Sequence, residues 1–384
     1  MLGGLLNLMN PSAILAVFQH AVSSVSKRSY LGACAGIFAV VLALTGVGSL
    51  PHEPYRLTAL NPFVKSQAYD VNTFQESPLL PLLSYATHLT SPAAFAALCL
   101  SFVVTGLVVF AAYARKALET AEAVVLYAVG VGHPAVLVLL SWVGTPDPIT
   151  FLLEALLLSV SHPLALLLIG AVGAFNHPLV LFGAPAILAL RWLAGDTRIR
   201  GVQLAFCVAG LVAGTVAVQL FLSSYGIEVF SRLQYLGALS PTDWIKHNLS
   251  NLPATLYSLN GVSWLVLALC ITSCFRLDPK YYGGVLIAQL LFLGMAFFSM
   301  DTTRVFALVS WPVATHCVVH SLRLADSHGG TAFGRQLRGA IAGLAILGVL
   351  GPRVYVWDGE IHGPPFAETY LALARAVRGI VAGN

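Results

Sequence analysis

The 384-residue chain is 58% hydrophobic and only 9% charged, with a mean hydropathy of +0.82, so one water-soluble core cannot bury its apolar surface. Its net charge of +4 comes from small basic groups set between apolar runs, with no continuous basic stripe, which excludes a nucleic-acid surface. There is no dyad alternation, so the composition describes a polytopic all-α bundle and not a β-barrel.

Residues 1–26 are apolar, and Lys27 and Arg28 follow them with no small-residue cleavage site. This predicts an interfacial N-terminal helix over 1–30 instead of a removable leader. The transmembrane domain is then expected over 31–352, with about 10–11 spans at 31–50, 92–113, 121–143, 149–160, 162–176, 178–194, 201–222, 257–275, 282–300, 305–322 and 338–352. The 149–194 block is broken by "SHP" and "FNHP", which makes its helices short. Such helices are tolerated at membrane depth where they line a cavity.

Lys27/Arg28, Arg115/Lys116, Arg191/Arg198/Arg200, Arg276/Lys280 and Arg323/Arg335/Arg338 fall on one side of this arrangement, which the positive-inside rule makes cytoplasmic. The opposite side holds a long first outer loop (51–91), a second outer loop (223–256), a short C-terminal tail (353–384) and the turns around Asp147, His177 and Asp301. "NLS" at Asn248 fits an N-glycosylation acceptor on that face. The six cysteines lie in apolar segments without CxxC spacing and read as small apolar residues.

The first outer loop carries Asp70 and Glu76, with Tyr69, Phe74 and His88 nearby; a carboxylate pair facing an apolar cavity suits a general base. Asp147, between two prolines in "GTPDPITF", suits both helix capping and the binding of substrate hydroxyls or a cation. His177 in "FNHP" is expected on the same surface. "MDTTR" places Asp301 and Arg304 at the mouth of a late span, where an arginine can grip phosphate with two hydrogen bonds. Glu154 is a polar contact between helices, and His133 and His162 read as structural, His162 on the cytoplasmic side. No GxxxxGK[ST], HExxH or GxSxG motif is present.

The order and sidedness of "QESPLLP", "GTPDPIT" (a G-x-x-D-x-[ILT] pattern), "FNHP" and "DTTR" resemble the GT-C glycosyltransferases, integral membrane enzymes that use polyprenyl-phosphate sugars. The likeness covers most of 31–322. Many members have two adjacent acids in the first loop, whereas Asp70 stands without an acidic neighbour, and no large soluble C-terminal domain follows residue 353. The resemblance implies a multi-pass protein of a bacterial inner membrane or an ER membrane, with its site on the extracytoplasmic or lumenal side. It implies Asp70 or Glu76 as catalytic base, Arg304 with His177 on the lipid phosphate, Asp147 holding sugar hydroxyls or shaping the pocket, and Asp301 as a substrate-binding acid paired with Arg304. The partners are then a polyprenyl-phosphate sugar donor, a glycan, lipid or protein acceptor, and membrane lipids. An Asp70/Glu76/Asp147 set supplies oxygen ligands suited to a divalent cation such as Mg or Mn, although the spacing does not demand one. The competing readings are a transporter or flippase, a lipid-linked glycan polymerase or ligase of another fold, and a non-catalytic membrane scaffold.

Overall fold

A computed structural model describes residues 29–48, 53–66, 73–229, 234, 240–299, 301–328, 330–367 and 369–371. Asp70 and the expected interfacial helix lie outside the described residues. The described chain is helical, in the order α1 (Tyr30–Thr45), α2 (Glu53–Leu60), a 3-10 turn (Phe74–Glu76), α3 (Leu79–Ala86), α4 (Pro92–Ala117), α5 (Thr120–Gly132), α6 (Pro134–Ser141), α7 (Asp147–Leu157), α8 (Pro163–Asn176), α9 (Val180–Leu193), α10 (Gly201–Ser224), α11 (Pro241–Leu249), α12 (Leu252–Asn260), α13 (Ser263–Cys274), α14 (Pro279–Phe297), α15 (Thr302–His328) and α16 (Gly330–Leu350). A hairpin of β1 (Tyr355–Trp357) and β2 (Glu360–His362) follows.

Among the described residues, five helices can cross a membrane by length and composition, or seven if two bent pairs each count as one span. That is fewer than the 10–11 expected from hydropathy. The 149–194 block explains much of the difference: it folds as helices of 11, 14 and 14 residues. At 1.5 Å per residue even the longer two reach only about 21 Å of a roughly 30 Å hydrocarbon layer.

α15 is the axis of the bundle. Its most apolar window is 94% buried, against 28–39% for the other four long helices, whose remaining faces are free to meet lipid. α7, α9, α12, α13, α14 and α16 all pack on it. At its centre Trp311 donates from Nε1 to the Gly130 carbonyl (2.9 Å) and packs against Phe110 and Phe151.

Both bent pairs break for local reasons, and at the same place. Pro134 starts α6, forcing His133 into an extended backbone, and the His133 ring accepts the Ala135 N–H. α12 ends at Asn260 before Gly261, whose φ of 54 favours glycine. His133 Nε2 lies 2.6 Å from Asn260 Oδ1, so a buried hydrogen bond pins the two breaks together. The bond joins two polar side chains of different spans inside the protein.

The C-terminal segment, expected as a short tail, forms the hairpin instead. "VYVWDGEIH" alternates around Asp-Gly, and Asp358 (φ 52) and Gly359 (φ 69) adopt the two left-handed positions of a type I′ turn. The hairpin docks on the start of α15: the Val356 N–H donates to Thr303 Oγ1 (2.8 Å), and Tyr355 and Trp357 meet Trp142 edge-on.

Asn248 is a correction. Its side chain is fully buried: Nδ2 donates to the Phe297 carbonyl (2.9 Å), and Oδ1 accepts from Thr302 Oγ1 (2.5 Å). It ties α11 to the mouth of α15 and offers no accessible amide for a glycan in this fold.

Candidate functional site

The site is assembled from three short sequence segments. "GTPDPIT" makes a turn between α6 and α7, and Gly144 (φ 109) takes a backbone conformation that side chains resist. Asp147 opens α7 from inside the first turn, where its charge favours the helix dipole. "FNHP" then locks onto this turn, as Asn176 Nδ2 donates to the Pro146 carbonyl (2.9 Å) and to Thr150 Oγ1 (3.1 Å). The next residue, His177, is thereby delivered to the same point. "DTTR" comes in from the start of α15.

Arg304 joins them. Its guanidinium grips Asp147 with two bonds, Nε to Oδ2 at 2.6 Å and Nη2 to Oδ1 at 3.0 Å, while Nη1 donates to Asp301 Oδ2 at 2.8 Å. Thr145 Oγ1 donates to Asp147 Oδ2, and Trp142 lies 5.6 Å from the guanidinium carbon as a cation–π partner. The Asp147 side chain is wholly buried, Arg304 is 10% exposed, and Asp301 at 28% marks the mouth. One cation between two carboxylates leaves the triad with a formal charge of −1.

The Arg304–His177 contact carries chemical information. His177 Nδ1 accepts the Leu179 N–H (3.2 Å), which puts the ring proton on Nε2. Nε2 stands 3.3 Å from Arg304 Nη2, so two donors face one another. An anionic oxygen at this mouth would meet the edge of the guanidinium. Arg304 keeps donors for it: three of its five N–H groups are used, leaving one on each terminal nitrogen.

Asp147, His177, Asp301 and Arg304 are therefore brought together at one point. Glu76 is carried on a separate element, half-buried in the 3-10 turn of the first outer loop. That turn is held by Gln75, whose side chain donates to the Val64 carbonyl and accepts from the Ser66 N–H (both 2.9 Å), and by an edge-on Tyr55–Phe74 contact. Thr145, Asn176, Trp142 and the hairpin were not anticipated. Asn176 had a signal, being an amide in an apolar run beside the histidine, and Asp-Gly marked the hairpin. Among the described residues no three His, Cys, Asp or Glu side chains converge to hold a metal ion, and both acids of the triad are engaged by Arg304.

Glu154 lies two turns beyond Asp147 on α7, fully buried, and among the described residues neither carboxyl oxygen has a hydrogen-bond partner. Gly183 on α9 leaves it room, since a Cβ there would come within 2.5 Å of Oε1. A buried carboxyl without partners is destabilising. Glu154→Met is expected to raise stability by about 1–3 kcal/mol, seen as a higher melting temperature of the detergent-solubilised protein.

At the other end of α7 the charge pattern reverses. Asp196 receives Arg191 (2.8 Å) and Arg198 (2.8 Å), and Arg191 Nη1 also donates to the Leu157 and Val160 carbonyls (2.7 and 2.5 Å). Partial burial pushes the Asp196 carboxyl up, but the hydrogen bonds from Arg198 and Arg191 outweigh it and hold the group well below the usual carboxylate range. No family model, curated protein or solved structure matches this chain, so the site is read from its own residues.

Proposed function

We propose that the chain is a membrane glycosyltransferase that moves a sugar from a polyprenyl-phosphate donor to a glycan, lipid or protein acceptor at the extracytoplasmic face. The observation that carries this reading is the Arg304 guanidinium, held by Asp147 and Asp301 beside His177 at the mouth of a buried acid–arginine cluster. Arg304 and His177 hold the donor's phosphate. Asp147 acts as a positioning residue that fixes the guanidinium, and Asp301 leaves it on the exposed side as the phosphate enters. Asp70 or Glu76 takes the proton from the acceptor hydroxyl, whose oxygen bonds to the anomeric carbon as the bond to the phosphate oxygen breaks. Phosphate is a good leaving group, so holding the partners in line and neutralising charge supply most of the rate. The short helices α7 to α9 and the exposed apolar flanks of the long helices give the polyprenyl tail access from the membrane.

The test is transfer of a radiolabelled hexose from a polyprenyl-phosphate hexose panel by the purified chain in proteoliposomes. Asp70→Asn or Glu76→Gln is expected to abolish transfer with an unchanged melting curve. Full activity in both variants would remove the proposed base, and no transfer from any donor would count against the enzyme.

One observation favours a transporter as the second reading: Glu154 lies between the Asp147 cluster and the basic cluster at the far end of α7, as a relay through the membrane would. The Glu154→Met variant separates the two. An enzyme keeps its transfer rate, and a transporter loses flux.

A further inference from the structure

We propose that the basic end of the bundle contains a second binding site, for a phosphate-bearing anion, independent of the reading above. A cavity of about 430 Å³ opens there near the C-terminal ends of α4, α7, α9 and α15. Small-molecule sites are typically about 300–1,000 Å³. Along α15, Arg323 at this cavity lies 19 residues beyond Arg304, about 28 Å at 1.5 Å per residue. The two sites are therefore separate.

The cavity has histidine and tyrosine side chains inside and cations around its rim. His316 and His320 are nearly buried in it, His316 Nδ1 lying 2.8 Å from the Tyr281 hydroxyl and His320 Nε2 3.0 Å from Asp278 Oδ2. Tyr113 of α4 lines the same space, within electrostatic range of Arg191, Asp196, Arg198 and Arg323. Lys116, Arg198 and Arg323 are exposed around it, and Arg191 is buried in its wall. Four cations against the one lining carboxylate, Asp196, leave the lining a formal charge of +3.

This charge exceeds what the fold needs. Helix C-termini attract cations, and several such ends point here. Their open carbonyls are already met, Leu157 and Val160 by Arg191 and Ala117 by Arg323 Nη2 (3.1 Å). Asp196 is likewise saturated by Arg191 and Arg198. Lys116 and the remaining Arg323 donors stand beyond these requirements, at the rim of a cavity with histidine and tyrosine inside. Phosphate oxygens match that set: several charge-assisted bonds from the rim cations, with Tyr113 lining the space beneath. The positive-inside pattern assigns this end to the cytoplasm, where basic pockets between helices meet both anionic lipid headgroups and soluble phosphates.

The test uses the full chain in a neutral detergent, followed by its melting temperature against two probes, sodium pyrophosphate and phosphatidylglycerol, with phosphatidylcholine as the reference lipid. One probe is expected to raise the melting temperature saturably. Pyrophosphate acting alone identifies a soluble ligand; phosphatidylglycerol acting without pyrophosphate identifies a headgroup. Lys116→Gln and Arg323→Gln, both at exposed positions, are each expected to weaken apparent affinity about tenfold, Lys116→Gln with the unliganded melting curve kept and Arg323→Gln with the Ala117 carbonyl bond also given up, and salt should weaken binding further. No shift with either probe overturns the proposal. So does a shift undiminished in both variants, because that places the anion elsewhere, including at Arg304.

Discussion

Arg304→Met is expected to lower stability by about 3–5 kcal/mol, because it leaves Asp147 as a fully buried carboxylate with its cation removed. Asp147→Leu should cost a similar amount by leaving a guanidinium buried with only Asp301 at its edge. The double variant Asp147→Leu/Arg304→Met removes both charges and should recover most of the loss, since hydrophobic groups of similar volume replace a buried pair at little cost. Activity should behave differently: on the proposed function all three variants lose transfer, the double included. Melting curves and transfer rates measured on the same preparations check both statements. If Arg304→Met melts like the parent, the ion pair does not hold the site together as described.

The second large effect is expected far from any charge. α8 and α10 approach backbone to backbone: a Cβ on Gly210 would lie 2.1 Å from the Leu167 carbonyl oxygen, one on Gly214 2.2 Å from that of Ala171, and one on Gly170 2.6 Å from that of Cys207. The Gly210-x-x-x-Gly214 spacing thus works as a small-residue seam of the kind that joins helices in lipid. Gly210→Leu has no flexible neighbour to yield, so it must part the helices, costing about 3 kcal/mol. α8 ends at Asn176, which holds the Asp147 turn, so the damage should reach the site and lower transfer as well as the melting temperature. Gly343→Leu on α16 is the control, as no atom lies within 4 Å of its Cβ position. Equal effects of the two substitutions would show that the seam is not what orders α8.

The sequence made most of the site visible but little of its support. Asp147, His177, Asp301 and Arg304 stood out because charge in an apolar chain is conspicuous, and each lies beside a proline or at a span edge where a turn is forced. Their pairing was not legible. "DTTR" pointed to a local Asp301–Arg304 contact, and the stronger grip on Asp147 arises across 157 residues through helix packing. Asn176 and Asn248 were hard to rank for a related reason: an amide in a span is satisfied by a carbonyl whose identity depends on the fold. Hydropathy counts more apolar segments than there are long spanning helices among the described residues, because it measures composition and not length after breaks. The hairpin was readable from Asp358-Gly359 but hidden by its place after the last apolar run.

The two charged triads also bear on how the bundle sits in an energised membrane. One end carries Asp–Arg–Asp around Arg304 and the other Arg–Asp–Arg around Asp196, so these two clusters contribute a dipole of one negative and one positive charge, set at opposite ends. A membrane potential, negative inside, acts on each charge with about 2.3 kcal/mol per 100 mV for full passage across the field. The dipole is aligned with that field when the Asp196 end faces the cytoplasm and opposed to it when inverted. In a membrane with such a potential, the voltage and the positive-inside rule would favour the same orientation, and dissipating the potential would weaken that preference without changing a single contact.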